Sequence, residues 1–271
     1  MSFLANVSYA ICMSGISVSI IGFSVYTETR KNAGDDKMSH FGTVGALWRY
    51  PVKSLLGESC RHLKFDTRGA EGDRLYAVYD AKGKFGSGKT TRRFQKIDGL
   101  FEFRSYYRDD VLTVVFPDGT ERAGPDSDTD AAMSEVLGQP VALTREADIS
   151  HFDAGPVHIV TSAALAALRL ALPGMQIDER RFRPNLLLDV AGSEPSEHGW
   201  VGRRLRIGDR VTLEIVETTE RCGMTTFAQA ELRREPRLLK HLSDTYGLCL
   251  GVYANVIQGG EVSLSDSVEM L

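Results

Sequence analysis

The chain has 271 residues, enough for one large domain or two ordinary ones, and its 42% hydrophobic and 25% charged residues are those of an ordinary soluble globular protein. A formal net charge of −4 argues against a general nucleic-acid binder, which needs a strongly basic face. The four cysteines, Cys12, Cys60, Cys222 and Cys249, are too few for a disulfide scaffold, which suggests a reducing, cytoplasmic compartment; with no C-x-x-C pair, they also argue against a cysteine-rich zinc or iron–sulfur site.

Residues 1–27 carry no charge, and 15 of the 23 residues from 4 to 26 are apolar, but five serines and two glycines dilute the run. A spanning helix needs about 20 predominantly apolar residues, so the segment is a marginal candidate, and it lacks the positive start of a secretory signal. Three readings stay open: a membrane anchor through 4–26, an apolar tail that docks or stays disordered, or an upstream extension of a chain that starts at Met38. Residues 32–37 read as a linker in each case.

From 41 to about 149 the pattern is mostly β. Short strands are expected over 44–50, 63–65, 75–79, 100–104 and 111–116, with a turn at Asp118-Gly119 and a helix over 127–137. Pro51 keeps Tyr50 extended and cannot join a central ladder, which puts Lys53 and Ser54 at a strand end or corner. A cation and a hydroxyl there could hold a phosphate; a solvated turn is the simpler reading. Residues 83–90, GKFGSGKT, fit the phosphate-loop pattern. That loop works between a buried strand and a long helix whose first amides face the phosphates, and the short basic run 91–99 supplies no such helix. A glycine hairpin with exposed cations is expected, with Lys89, Arg92 and Arg93 as the wall of some other anion site as the alternative.

From 150 onward, a strand over 157–160 leads to a helix over 163–172 capped by Thr161 and stopped by Pro173-Gly174. Arg180, Arg181 and Arg183 precede an apolar strand over 186–190, and guanidinium groups so placed match phosphate as well as they suit a solvated turn. Strands follow over 200–207 and 211–216, then a helix over 235–246, then strands over 250–257 and 262–264 joined by a Gly259-Gly260 hairpin. Close-spaced strands suggest a barrel. Between the strand 211–216 and the last helix lies Arg221-Cys222. A guanidinium beside a thiol favours the thiolate, the form that ligates metals or attacks carbon, while a cysteine acting as a small buried hydrophobe explains the same residue without chemistry.

Taken in order, Tyr50-Pro51-Val52-Lys53-Ser54, Gly72-Asp73-Arg74, Val157-His158-Ile159-Val160-Thr161-Ser162, Arg181-Phe182-Arg183-Pro184-Asn185, Glu220-Arg221-Cys222 and the closing Gly259-Gly260-Glu261-Val262 with Asp266 form a familiar set. The set resembles the MOSC family, named for the carboxyl-terminal domain of molybdenum cofactor sulfurase, preceded by its usual amino-terminal β-barrel domain. The mitochondrial amidoxime-reducing component and bacterial reductases of N-hydroxylated bases are the similar proteins of known activity. The resemblance implies a mainly β, α+β chain with an apolar segment and linker over 1–37, a smaller β-rich domain over 38–149 and a MOSC-type β-barrel domain over 150–271.

It also implies a function. Cys222 matches the thiolate that binds molybdenum, and Arg221, Arg183 and Asn185 match residues that hold the pterin and its phosphate. Lys53, Ser54 and Arg74 match the grip of the first domain on the anionic end of the molybdopterin-type cofactor. The expected activity is reduction of N-hydroxylated small molecules. Some bacterial relatives carry a ferredoxin domain after the MOSC domain; here the sequence stops at Leu271, so electrons are expected from a separate donor protein. The alternative is a carrier of the cofactor, or of sulfur as a persulfide on Cys222, without turnover. Two departures stand out: Glu220 precedes the Arg-Cys pair where some relatives have a small polar residue, and Ser265-Asp266 replaces a closing Gly-Asp.

Overall fold

The computed structural model describes residues 40–271. Cys12, the apolar segment 4–26 and the linker 32–37 lie outside the described residues. Among the described residues no helix is long and apolar enough to cross a membrane.

Seven strands close a barrel in the order Leu186–Val190, Val157–Thr161, Cys249–Gln258, Val211–Glu220, Arg204–Ile207, Ser267–Met270, His40–Arg49 and back to Leu186–Val190. Closure removes the unpaired edges that an open sheet of this length would expose. The alternation read from the sequence is the cause of the curl: Val211, Leu213 and Ile215 point inward at 0–1% exposure while their neighbours face out. Strand His40–Arg49 comes from the first half of the sequence yet pairs antiparallel with both Ser267–Met270 and Leu186–Val190, so the barrel cannot close without it.

Strand Val157–Thr161 is buried at all five positions, because helices α2 (Ser162–Ala171) and α3 (Pro236–Tyr246) cover the outside of the barrel there. Thr161 caps α2 as the sequence predicts, its hydroxyl accepting from Ala164 N at 3.0 Å. The rest of the first half makes an open half-barrel of short strands. Its own core gathers Val52, Leu55, Val78, Phe103 and Leu112 under Met133 of α1 (Ser127–Leu137). The described chain is mostly β with three α-helices, an α+β MOSC-type fold.

Several expected elements differ. The strand expected over 100–104 is absent up to Phe103: Leu100–Glu102 is a 3-10 turn entered through left-handed Gly99 (φ 88°), which buries both Leu100 and Phe101. The strand then runs Arg104–Arg108. Ser196–Trp200 is likewise a 3-10 turn ahead of strand Arg204–Ile207. Gly259-Gly260 makes no hairpin, because strand Gly260–Ser263 pairs with His62–Asp66 of the first half. A Cβ on Gly259 would lie 2.5 Å from the Phe65 carbonyl oxygen, so the glycine allows that close approach. The glycine-rich 83–90 segment is a hairpin, as expected: Tyr76–Asp80 pairs antiparallel with Phe85–Ser87, Phe85–Ser87 runs parallel to Phe94–Lys96, and only the 3-10 turn Leu100–Glu102 follows.

Candidate functional site

Strand Val211–Glu220 runs four residues further than the apolar alternation suggests. Three register irregularities against Cys249–Gln258 carry its polar end, Glu217 to Glu220, out along the partner strand. Arg221 then donates its backbone N–H to Leu248 O at 2.8 Å, and Cys222 opens the 3-10 turn Gly223–Thr226. The Cys222 carbonyl accepts from the Thr225 hydroxyl at 2.9 Å, which pins the turn and leaves the half-buried thiol side chain at its start.

Around that thiol the chain assembles one cleft. Lys53, Ser54, Arg74, Arg183, Arg221 and Cys222 all line it. Five basic side chains, these four and Arg181, face one acidic one, Asp153, across a cavity of about 60 Å³. The backbone is strained where it delivers these groups: Ser54, Arg74 and Arg183 have φ of 68°, 48° and 56°. Each left-handed residue costs on the order of 1 kcal/mol, and such costs collect at binding sites.

Each cation has a distinct anchor. Lys53 Nζ donates to His151 O at 2.7 Å and to Asp153 at 2.5 Å. Burial lowers the Lys53 pKa, with Asp153 opposing. The Asp153 carboxyl is raised by its surroundings but lowered further by Lys53, Arg74 and Arg183, and ends at about 2. Arg74 forms a buried ion pair with Asp73 and donates to Arg183 O at 3.2 Å. Arg183 donates through Nη1 to Leu55 O at 2.6 Å, across the two halves of the sequence, while burial and Arg74 push its pKa down to about 10. Arg221 donates to Phe182 O at 2.7 Å. Two buried donors on this wall, Arg183 Nη2 and Arg221 Nε, have no acceptor. A buried donor without a partner costs about 1–3 kcal/mol, so both suit a ligand rich in acceptors.

Asn185 stands apart from the cleft lining. Its Oδ1 accepts from His158 N at 3.0 Å and its Nδ2 donates to Trp48 O at 3.4 Å, so it ties three backbone segments together. The three clustered arginines also separate. Arg180 pairs with Asp178 and Glu231, Arg181 donates to the carbonyls of Gln176, Phe227 and Arg233, and Arg183 alone joins the unpaired donors. Arg93 spends its guanidinium on Ser150 O and Phe152 O. Glu220 is exposed, and Cys249 accepts from Thr218 Oγ1 at 3.5 Å. A larger cavity of about 520 Å³ shares Tyr50 with this region but holds no thiol.

Sequence reasoning missed His158, Asp153 and Tyr50 as site residues. His158 is fully buried between two arginines: its ring accepts from Arg221 Nη1 at 3.4 Å and donates through Nδ1 to Arg183 O at 3.3 Å, an assignment of the proton made from these partners. Burial and the Arg221 charge hold its pKa well below the usual histidine value, so it stays neutral. A single histidine inside the apolar run VHIVT was the available signal; Asp153, in an unstructured loop, gave none.

Residues 146–269 match the MOSC domain, and residues 41–154 match the MOSC N-terminal beta barrel domain. This chain belongs to the MOSC-domain family. MOSC domains are associated in general with molybdenum-cofactor binding. Among solved structures, the YuaD protein of Bacillus subtilis is 14% identical, covering 84% of this MOSC chain and 94% of its own at a TM-score of 0.43. YiiM of Geobacillus stearothermophilus is 17% identical over 43% of this chain and 54% of its own, with a TM-score of 0.35. YiiM of Escherichia coli is 15% identical over the same shares, with a TM-score of 0.33. Among curated proteins none matches.

Proposed function

We propose that this MOSC protein binds a molybdenum cofactor of the molybdopterin type through Cys222 and reduces N-hydroxylated small molecules with electrons from a separate donor protein. The observation that carries the reading is one thiol in a cleft of five basic side chains, two of which keep a buried N–H without an acceptor. An anionic organic cofactor supplies the acceptors that Arg183 and Arg221 lack. Among the described residues no three His, Cys, Asp or Glu side chains gather as a metal site, and a lone thiolate suits a thiophilic metal whose other ligands come with an organic group. The residues present therefore fit the cofactor at its metal and at its anionic end. At about 60 Å³ the cleft admits a phosphate-sized group, so seating the whole cofactor requires its walls to part.

When bound, the cofactor supplies the two-electron chemistry by which the substrate N–O bond is cleaved, two protons are taken up and water leaves. The protein supplies position and charge. Arg221 lines the cleft with Cys222 and keeps a buried N–H for an acceptor on the ligand. Lys53, Ser54, Arg74 and Arg183 neutralise and orient the anionic end. Neutral His158 holds Arg221 and the Arg183 backbone in register. Asp153, ionised down to about pH 2, keeps Lys53 in place and holds no proton to donate near neutrality.

The test is molybdenum and pterin analysis of the protein and its Cys222→Ser variant, both from a host that makes the cofactor, with turnover of an N-hydroxylated substrate by an artificial electron donor. Near-stoichiometric metal in the first, a large loss in the second and metal-dependent turnover support the reading. Folded protein from such a host that lacks molybdenum and pterin, with Cys222 recovered as a persulfide, would overturn it in favour of a sulfur carrier.

A further inference from the structure

Next to the cysteine cleft lies a second cavity of about 100 Å³, and Met224 lines both. Its opposite wall is also shared: Ser87 lines the cleft, Gly88 lines the second cavity, and the Ser87 hydroxyl donates to Met224 Sδ at 3.5 Å. Met224 and the Ser87-Gly88 pair thus form the partition between the two spaces.

Gly88 is a requirement of space. A Cβ there would lie 2.4 Å from the Phe227 ring and 3.0 Å from Met224 Cγ. Its φ lies outside the left-handed region, so room, not backbone freedom, calls for glycine. This gives the glycine-rich hairpin a role that phosphate binding does not: it lets an aromatic ring lie flush against the backbone. Phe227 meets Phe101 edge to face with centroids 6.4 Å apart, and Arg183 of the cleft lies 5.8 Å from the Phe101 ring centre. The cavity is lined by the Phe101 and Phe227 rings and adjoins the cysteine cleft at Met224 and at the Ser87-Gly88 pair.

Its charge is opposite to that of the cleft. Asp98 and Glu102 line it, and no basic residue does. Asp98 is paired with Lys96 at 3.0 Å, whereas Glu102 has no ion-pair partner among the described residues. We propose that this pocket receives the apolar, non-reacting part of the substrate, and that it prefers aromatic or aliphatic bodies that are neutral or cationic over anionic ones. The proposal deepens the reductase reading and rests on it for the identity of the reacting group. The space suits about one small ring or short chain.

The test uses the full chain and three one-ring probes, benzamidinium, benzyl alcohol and benzoate, titrated by ligand-observed NMR. It adds turnover of N-hydroxybenzamidine and of hydroxylamine with an artificial donor. The first two probes should bind and benzoate should bind at least about tenfold more weakly. Gly88→Ala, which pushes Phe227 and Met224 into the space, should weaken both binders about tenfold and lower the ratio of kcat/KM for N-hydroxybenzamidine over hydroxylamine by a similar factor. Glu102→Gln, an exposed change that carries the test if Gly88→Ala unfolds, should weaken benzamidinium by about threefold and leave benzyl alcohol within about twofold. Equal binding of all three probes, or an unchanged ratio and unchanged affinities in both variants, would overturn the proposal. If neither substrate turns over but the binding pattern holds, the pocket stands and the reductase reading falls.

Discussion

The guanidinium of Arg183 lies 4.2 Å from the centre of the Tyr50 ring, and Arg74 approaches the same ring at 5.2 Å. One aromatic ring therefore faces two cations that would otherwise repel each other, and one of them comes from each half of the sequence. A cation over a ring gains about 0.5–2 kcal/mol, more as water is excluded. Tyr50 also lends its backbone: its N–H donates to Asp73 and its carbonyl accepts from Arg74 N at 2.7 Å. The joint fixes both arginines against one ring.

Arg183→Lys is therefore not a conservative change. Lysine keeps the charge but loses the planar fork that serves Leu55 O with one nitrogen and leaves another for a ligand. Anion affinity should fall by about 10- to 150-fold, the loss of one charge-assisted hydrogen bond worth about 1.5–3 kcal/mol. The readout is the molybdenum-to-protein ratio in material from a cofactor-making host. A ratio equal to wild type would remove Arg183 from the anion-holding set.

Asp73 is 0% exposed and carries both the Arg74 ion pair and the Tyr50 N–H. Asp73→Asn leaves the Arg74 charge buried without its counter-ion, a change that costs about 3–5 kcal/mol. Chemical denaturation should show that loss. The double variant Asp73→Asn with Arg74→Met should be less destabilised than Asp73→Asn alone, because the uncompensated charge leaves with the arginine. A double variant worse than the single would mean that Arg74 contributes through packing and not as the partner of Asp73.

How much of this was legible in the sequence depended on whether local pattern or long-range pairing decided the outcome. Val211, Leu213 and Ile215 announced a barrel wall by alternation, and Thr161 announced its helix by capping chemistry. Lys53, Ser54, Arg74, Arg183, Arg221 and Cys222, far apart in sequence, do meet in one cleft. What stayed hidden was set by contacts with no local signature. Gly260–Ser263 pairs with a strand some two hundred residues earlier, and Asn185 looks like a ligand residue until its amide is seen bound to backbone on both sides. Arg180, Arg181 and Arg183 are chemically identical, and only their partners separate Arg180, which pairs with carboxylates outside the cleft, from Arg181, whose guanidinium is held by carbonyls at the cleft wall, and Arg183, which keeps a buried donor without an acceptor.

The phosphate-loop pattern at 83–90 leads to a further expectation. Its last lysine, Lys89, lies 5.4 Å from the Phe94 ring, and the first helical element after the loop is the three-residue 3-10 turn Leu100–Glu102. Isothermal titration with magnesium–ATP should show no binding at protein concentrations near about 100 μM, that is, no affinity in the micromolar range. Tight binding in the native chain that disappears in Lys89→Ala would revive a nucleotide role.

His158 makes stability depend on pH in a definite direction. Its folded pKa is lowered, by burial first and by Arg221 second, so as pH falls through the unfolded value of about 6.5 the unfolded chain takes up a proton that the folded chain refuses. The unfolded state is then favoured, and stability should rise with pH up to about 6.5 and level off above it. One such group gives a slope of at most about 1.4 kcal/mol per pH unit. His151 and His198 are shifted the same way, each by burial first, and add to the slope. Urea midpoints from pH 7.5 to 5 should therefore drop steeply for the native chain and less steeply for His158→Gln, which has no proton to gain. Equal slopes in the two proteins would mean that His158 titrates in the folded state, with the Arg221 contact broken to admit the charge.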